Sequence, residues 1–230
     1  DPGDTEALIN TVPALTSATV TDLLLTALVM AHQQWSGNNN LSLCVEGHGR
    51  EAIADGVDLS RSVGWFTSLY PLNLHCDPSE TMPQGLARTK QRLEGIPDKG
   101  IGFGILRYLC PDLPGVRELA RLPLPSILFN YLGLWQPTIC ESDRFRYLDP
   151  LSVSFGNRGE QPFAVEINLM ILDGRLTTDW TFDRQRHRSE DIERFANDYH
   201  RSLIALIHDS LGQENPDSVP LHEGISTTEM

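Results

Sequence analysis

Apolar side chains recur at every second position through residues 163–172, where Phe163, Val165, Ile167, Leu169 and Ile171 fall on one face of an extended chain. Asp173-Gly174 supplies a tight turn, and residues 175–182 return with Leu176, Thr178, Trp180 and Phe182 aligned. Alternation, turn and alternation predict a β-hairpin. The period then lengthens. Ile192, Phe195, Ala196, Tyr199, Leu203 and Leu206 recur at helical spacing behind Ser189, with Glu190 and Asp191 in the first turn. This predicts a long helix capped by Ser189, with one buried stripe. Residues 19–34 predict a second helix, capped by Thr19 or Thr21, with Asp22 in its first turn and Leu24, Leu25, Leu28 and Ala31 as its apolar stripe. Gly37 and three asparagines end it.

Shorter elements lie between. Residues 41–46 alternate cleanly, with Leu41, Leu43 and Val45 on one face and Ser42, Cys44 and Glu46 on the other, so a strand ends in a carboxylate. A second strand is predicted over 63–70, stopped at Pro71, and a short helix over 86–93, closed by Gly95 and Pro97. Residues 127–132 give another strand. Residues 1–18, with Pro2, Gly3 and Pro13, read as an irregular lead-in, and residues 212–230, polar with two prolines, as a flexible tail or linker. The body, 19–211, is an α/β layered domain with a mixed sheet and no internal repeat.

At 230 residues, 40% of them hydrophobic, the chain can bury a core without staples. No apolar run reaches the roughly 18 residues of a membrane span, the longest being 23–31, interrupted by Thr26. A net charge of −13 repels a phosphate backbone, and the basic Arg184, Arg186 and Arg188 are followed at once by acidic residues, so no nucleic-acid partner is expected. Cys44, Cys76, Cys110 and Cys140 form no CxxC pair, and no histidine pair sits at zinc spacing. Four free thiols, no metal and a reducing, cytoplasmic setting are the expectation. The chain opens on Asp1 rather than a methionine, which suggests a fragment or a processed product.

The densest reactive cluster is Glu46-Gly47-His48-Gly49-Arg50-Glu51. A carboxylate at a strand end beside a glycine turn can be held rigidly while a substrate approaches closely, and burial can raise its pKa until it serves as a base near neutral pH. A solvated polar turn accounts for the same residues. Lys99-Gly100-Ile101-Gly102-Phe103-Gly104 lacks the spacing of a nucleotide-binding loop and reads as a flexible or tightly packed loop. In Phe129-Asn130-Tyr131-Leu132-Gly133 the amide and phenol are adjacent on a strand. They therefore point to opposite faces, and at most one reaches a given pocket unless the strand bulges. Trp65 and Phe66 read as core aromatics, and His32, His75, His187, His200 and His208 are scattered. Spacing alone selects no reaction.

Taken in order, these segments resemble the epimerization domains of nonribosomal peptide synthetases, relatives of the condensation domains. Val20-Thr21-Asp22-Leu23-Leu24-Leu25-Thr26-Ala27 looks like the helix motif that opens the family's second lobe. Residues 46–51 match EGHGRE, and residues 61–71 are similar to RTVGWFTSxYP. Residues 99–104 resemble KGxGYG with Phe103 in place of tyrosine, and residues 129–133 match FNYLG. The resemblance covers roughly residues 12–210, and EGHGRE favours epimerization over condensation.

It implies a lobe like chloramphenicol acetyltransferase, a mixed β-sheet packed with helices, one of two flanking a tunnel. A peptidyl carrier protein would deliver an aminoacyl or peptidyl thioester on its 4′-phosphopantetheine arm, with no other cofactor. The α-proton would be removed and returned on the opposite face, converting L to D. Glu46 maps to the family's acid/base. Asn130 and Tyr131 map to groups that position the thioester or its enolate, and His48 and Arg50 to supports of the Glu46 turn. The family's HHxxxDG motif belongs to the N-terminal lobe and does not occur here, so this chain alone should be inactive and its lobe interface exposed. A condensation lobe and a non-catalytic recruitment lobe are the alternatives.

Overall fold

A computed structural model describes residues 1–51, 56, 58–110, 112–134, 141–142, 145–146, 162–212 and 225–229. The chain opens as a helix: α1 (Pro2–Glu6) runs through a π-helical stretch, Ala7–Thr11, into α2 (Val12–Thr16). This corrects the irregular lead-in read from its prolines. Pro2 occupies the first turn, where its missing N–H costs nothing, and the Asp1 carboxylate accepts the Asp4 N–H at 3.0 Å. The π-helical stretch lies just ahead of Pro13, whose ring removes one regular helix bond. Burial of Leu8 and Val12 one turn apart, and an N–H of Leu176 donated to Thr5 Oγ1 at 3.0 Å, fasten this helix to the body.

α3 (Val20–Ser36) begins with a capping box in which Thr19 and Asp22 each accept the other's backbone N–H. β1 (Asn40–Gly47) follows, then β2 (Ser68–His75), displaced from the predicted 63–70. Pro71 sits inside β2 instead of ending it, because β2 is an edge strand and edges tolerate proline. Tyr70, Leu72 and Leu74 are its buried positions. α4 (Met82–Glu94) contains the predicted 86–93 helix. α5 (Ile101–Leu109) starts within the 99–104 motif, which is therefore a helix start and not a loop. α6 (Val116–Arg121) leads to β3 (Ile127–Leu134). The two-residue strands β4 (Glu141–Ser142) and β5 (Phe145–Arg146) pair with each other. The expected hairpin is β6 (Val165–Leu172) and β7 (Arg175–Phe182), in register from Val165↔Phe182 to Leu172↔Arg175.

α7 (Ser189–Ser210) is the long C-terminal helix, with Arg188 rather than Ser189 at the N-cap position. Within the segment expected to be a flexible tail, β8 (Ile225–Glu229) pairs parallel with β7; residues 213–224 and Met230 lie outside the described residues.

The main sheet runs β2-β1-β3-β6-β7-β8, with β1, β3 and β6 parallel, β2 antiparallel to β1, and β7 antiparallel to β6 but parallel to β8. α3 and α7 cover one face. Trp35 stacks on Phe195 at 4.7 Å, while Trp180 meets Phe195 and Tyr199 edge-on at 5.0 and 5.8 Å. These rings, with Leu43, Phe129 and Ile167, form the main core. Such a mixed sheet packed with helices is the predicted fold class. Among the described residues no single helix is long and apolar enough to cross a membrane.

Candidate functional site

Register decides which side chains of the sheet share a face. Cys44 lies beside Leu128 and Leu128 beside Glu166, while Asn130 lies beside Asn168 and Asn168 beside Asp179. Because side chains alternate, Glu46, Asn130, Glu166, Asn168 and Asp179 stand on one face, opposite the helices. Val45, Phe129, Ile167 and Trp180 take the helix-covered face. Asn130 donates from Nδ2 to Asn168 Oδ1 at 3.2 Å, which fixes its amide across the β3–β6 seam. Tyr131 points the other way. It packs against the main core, near the fully buried Tyr199, and burial raises its phenol above the ordinary range. The structure thus brings Asn130 to the face of Glu46 and places Tyr131 on the opposite one.

Glu46 is half-buried near the end of β1, opposite Leu69 on β2. Burial first, and the negative charge of Glu166 second, push its carboxyl above the usual range. Glu166 is raised likewise, by burial and then by Asp179. Cys44, buried on this face with Leu128 and Phe163, has its thiol pushed up to about 11 by burial, against the pull of Arg107, and is inert at neutral pH. The Arg107 guanidinium reaches from α5, donating to the carbonyls of Leu119 at 2.7 Å and Leu122 at 2.8 Å.

The turn after β1 is braced from outside. Gly49 has φ +62°, and a Cβ there would overlap the Phe66 carbonyl oxygen, so the turn packs backbone to backbone on the loop before β2. Arg50 ties that loop further, donating to the carbonyls of Leu59 at 2.6 Å and Ser62 at 3.0 Å with its guanidinium 4.1 Å over the Phe66 ring. His48 accepts the Arg50 N–H at Nδ1, 3.0 Å, and sets Nε2 3.0 Å from Glu51. Glu51 in turn pairs with Lys99 at 3.4 Å, and Gly100, at φ +82°, leaves room for the Tyr70 ring that a Cβ would strike. His48 and Arg50 therefore engage the turn and its neighbouring loop.

Trp65 is 90% exposed, against its expected core role, and Phe66 is half-buried under Arg50; Val63 is fully exposed. Sequence reading missed Glu51 as the link between the 46–51 and 99–104 motifs. It also missed Glu166 and Asn168, although both stand at the polar alternate positions of the predicted hairpin. At the far end of the sheet a groove of about 260 Å³ opens among Met30, Gln33, His75, Cys76, Glu80 and Met82, well away from Glu46. Cys44, Cys76 and Cys110 are free thiols, and Cys140 lies outside the described residues. No group of side chains among the described residues could hold a metal ion.

Residues 2–220 match the Condensation domain family. A linear gramicidin synthase of Brevibacillus parabrevis is 38% identical over 226 residues, covering 96% of this chain and 4% of that protein. Bacitracin synthase 3 of Bacillus licheniformis is 35% identical over 207 residues, covering 89% of this chain and 3% of that protein. The chain therefore spans only a small part of the synthetases it resembles. Among solved structures, the epimerization domain from the third module of tyrocidine synthetase B superposes with a TM-score of 0.77 at 33% identity, over 93% of this chain and 47% of that one. The first condensation domain of the CDA synthetase, at 16% identity and a TM-score of 0.60, shares the fold. On the family match across nearly its whole length, this chain belongs to the condensation-domain family.

Proposed function

We propose that this chain is the C-terminal half of an epimerization domain, converting the carrier-bound residue of an aminoacyl or peptidyl thioester from L to D. The observation that carries the reading is the half-buried Glu46, held at a strand end by a braced glycine turn with its carboxyl raised above the usual range. The 33% identity to a solved epimerization domain supports the same choice.

A thioester carbonyl acidifies its α-carbon, so a carboxylate near neutral pH suffices to take the α-proton. The electron pair moves into the carbonyl to form an enolate, and a proton returned to the opposite face of the carbon gives the D residue. Glu46 accepts or returns one of these protons. Asn130, fixed on the same face, is placed to donate to the enolate oxygen, with Tyr131 supporting β3 from beneath. His48 and Arg50 hold the turn. The substrate arrives on the 4′-phosphopantetheine arm of a peptidyl carrier protein, and no further cofactor takes part.

An N-terminal lobe supplies the HHxxxDG histidine and the other tunnel wall. The chain spans 47% of the solved epimerization domain, and α5 has no buried residue, leaving Tyr108 and Leu109 65% and 74% exposed. This apolar surface, with Val63 and Trp65, is offered to that lobe. The C-terminal lobe is inactive without it.

Exchange of the α-proton in deuterium oxide, on an L-aminoacyl thioester carried by its carrier protein, tests the reading. The intact two-lobe domain should exchange and form D product, and Glu46→Gln should lower both by about 10²- to 10⁴-fold. Peptide-bond formation with no exchange, in a folded domain that engages the carrier, would establish condensation instead. Carrier binding with neither reaction would point to a recruitment lobe.

A further inference from the structure

Glu166 plays no part in the reaction as written, yet it is the charged group that bears on Glu46. It lies on β6, two strands from β1, and its face is fixed by register: Cys44 beside Leu128, and Leu128 beside Glu166. Two strand spacings and a two-residue offset along the strands put the backbones of the two glutamates about 12 Å apart, within reach for two long side chains leaning toward each other over a half-buried surface.

Among the described residues, the groups around Glu46 do not cancel that charge. Its own strand contributes the neutral thiol of Cys44, β2 the apolar Leu69, and β3 Leu128 and the neutral amide of Asn130. β6 adds Asn168 besides Glu166, and β7 adds a further carboxylate, Asp179. In the turn, His48 faces Glu51 and Arg50 faces the Leu59 and Ser62 carbonyls, while Lys99, just ahead of α5, also faces Glu51. Arg107, on α5, is bonded to the carbonyls around α6 and acts on Cys44.

We propose that Glu166 is a positioning residue that acts through Glu46, its carboxylate setting the pH range in which Glu46 accepts the α-proton. This rests on the epimerase reading of Glu46 and deepens it. Burial is the larger cause of the raised Glu46 carboxyl, and the like charge adds to it, so Glu46 takes its proton at a higher pH than burial alone would allow. Asp179 acts one step further out, raising Glu166 as Glu166 raises Glu46.

The test is the pH profile of α-proton exchange by the intact two-lobe domain on a carrier-bound L-aminoacyl thioester. Removing the like charge makes Glu46 ionise at lower pH, so the acidic limb moves down. On that limb Glu166→Gln should exchange about threefold faster than the unaltered domain, with a plateau no higher and KM unchanged. Glu166→Asp, which keeps the charge, should hold the limb in place. Glu166→Ser carries the same expectation as Glu166→Gln should the latter fail to fold. A structural role alone would lower exchange at every pH and leave the limb where it is. An unmoved limb in Glu166→Gln or Glu166→Ser, with exchange still abolished by Glu46→Gln, overturns the inference and leaves the epimerase reading standing. Exchange that survives Glu46→Gln overturns both.

Discussion

The two faces of the central sheet are drawn from the same strands and differ in nearly every physical respect. On one, Leu43, Phe129, Ile167 and Trp180 are sealed under α3 and α7 by stacked and edge-on rings. On the other, residues one position along the same strands are Glu46, Asn130, Glu166 and Asn168, half-buried and polar. The first face gains by excluding water completely, and its residues are interchangeable with others of similar shape and volume. The second keeps carboxylates where desolvation and like charge make ionisation unfavourable, which costs stability and creates reactivity. A one-residue slip in any strand would exchange the two roles, so the strict alternation of β6 and β7 protects the chemistry as much as the core.

That contrast can be broken most forcefully from the helix side. Trp180 is completely buried, and Trp180→Ala should destabilise the fold by about 3–5 kcal/mol, read as a lower midpoint in denaturant. Glu46→Gln, which removes the proposed exchange activity, should leave that midpoint nearly unchanged.

Within β3 the contrast narrows to neighbouring residues. Asn130→Ala should slow α-proton exchange by about 10²- to 10³-fold, as expected for losing a donor to a developing oxyanion. Tyr131→Phe, on the helix face, should change exchange by less than about threefold and act through stability instead.

The smallest effect concerns pH. Glu46 binds its proton more tightly folded than unfolded, so stability falls as pH rises from the ordinary carboxylate range through the raised folded value. Glu46→Gln removes this loss. Its stability at neutral pH, read from the melting temperature, should exceed that of the unaltered domain by less than about 1 kcal/mol given solvent screening, and the difference should close in acid.

Elements with sustained periodicity were legible from the sequence. The β6–β7 hairpin, α7, α3 and β1 each carry their apolar pattern over most of their length, and pattern dominates where burial does. Proline misled twice. Pro2 and Pro13 lie in helical first turns, where proline is compatible, and Pro71 lies on an edge strand; their effect depends on neighbours that the local sequence does not reveal. The turn around Glu46 was legible through its family motif. Its surroundings were not, because Glu166 and Asn168 join that face only through the strand order β1-β3-β6, and Glu51 meets Lys99 only once α5 is placed. The opposite facing of Asn130 and Tyr131 needed nothing beyond strand alternation.

Pro71 also matters to what happens outside the lobe. β2 is a long strand at the margin of a six-stranded sheet, the kind of border on which another chain can continue the ladder. A proline midway along it denies an incoming strand one of the donors that continuation requires. Such a border guards against edge-to-edge pairing with a second copy of the same sheet.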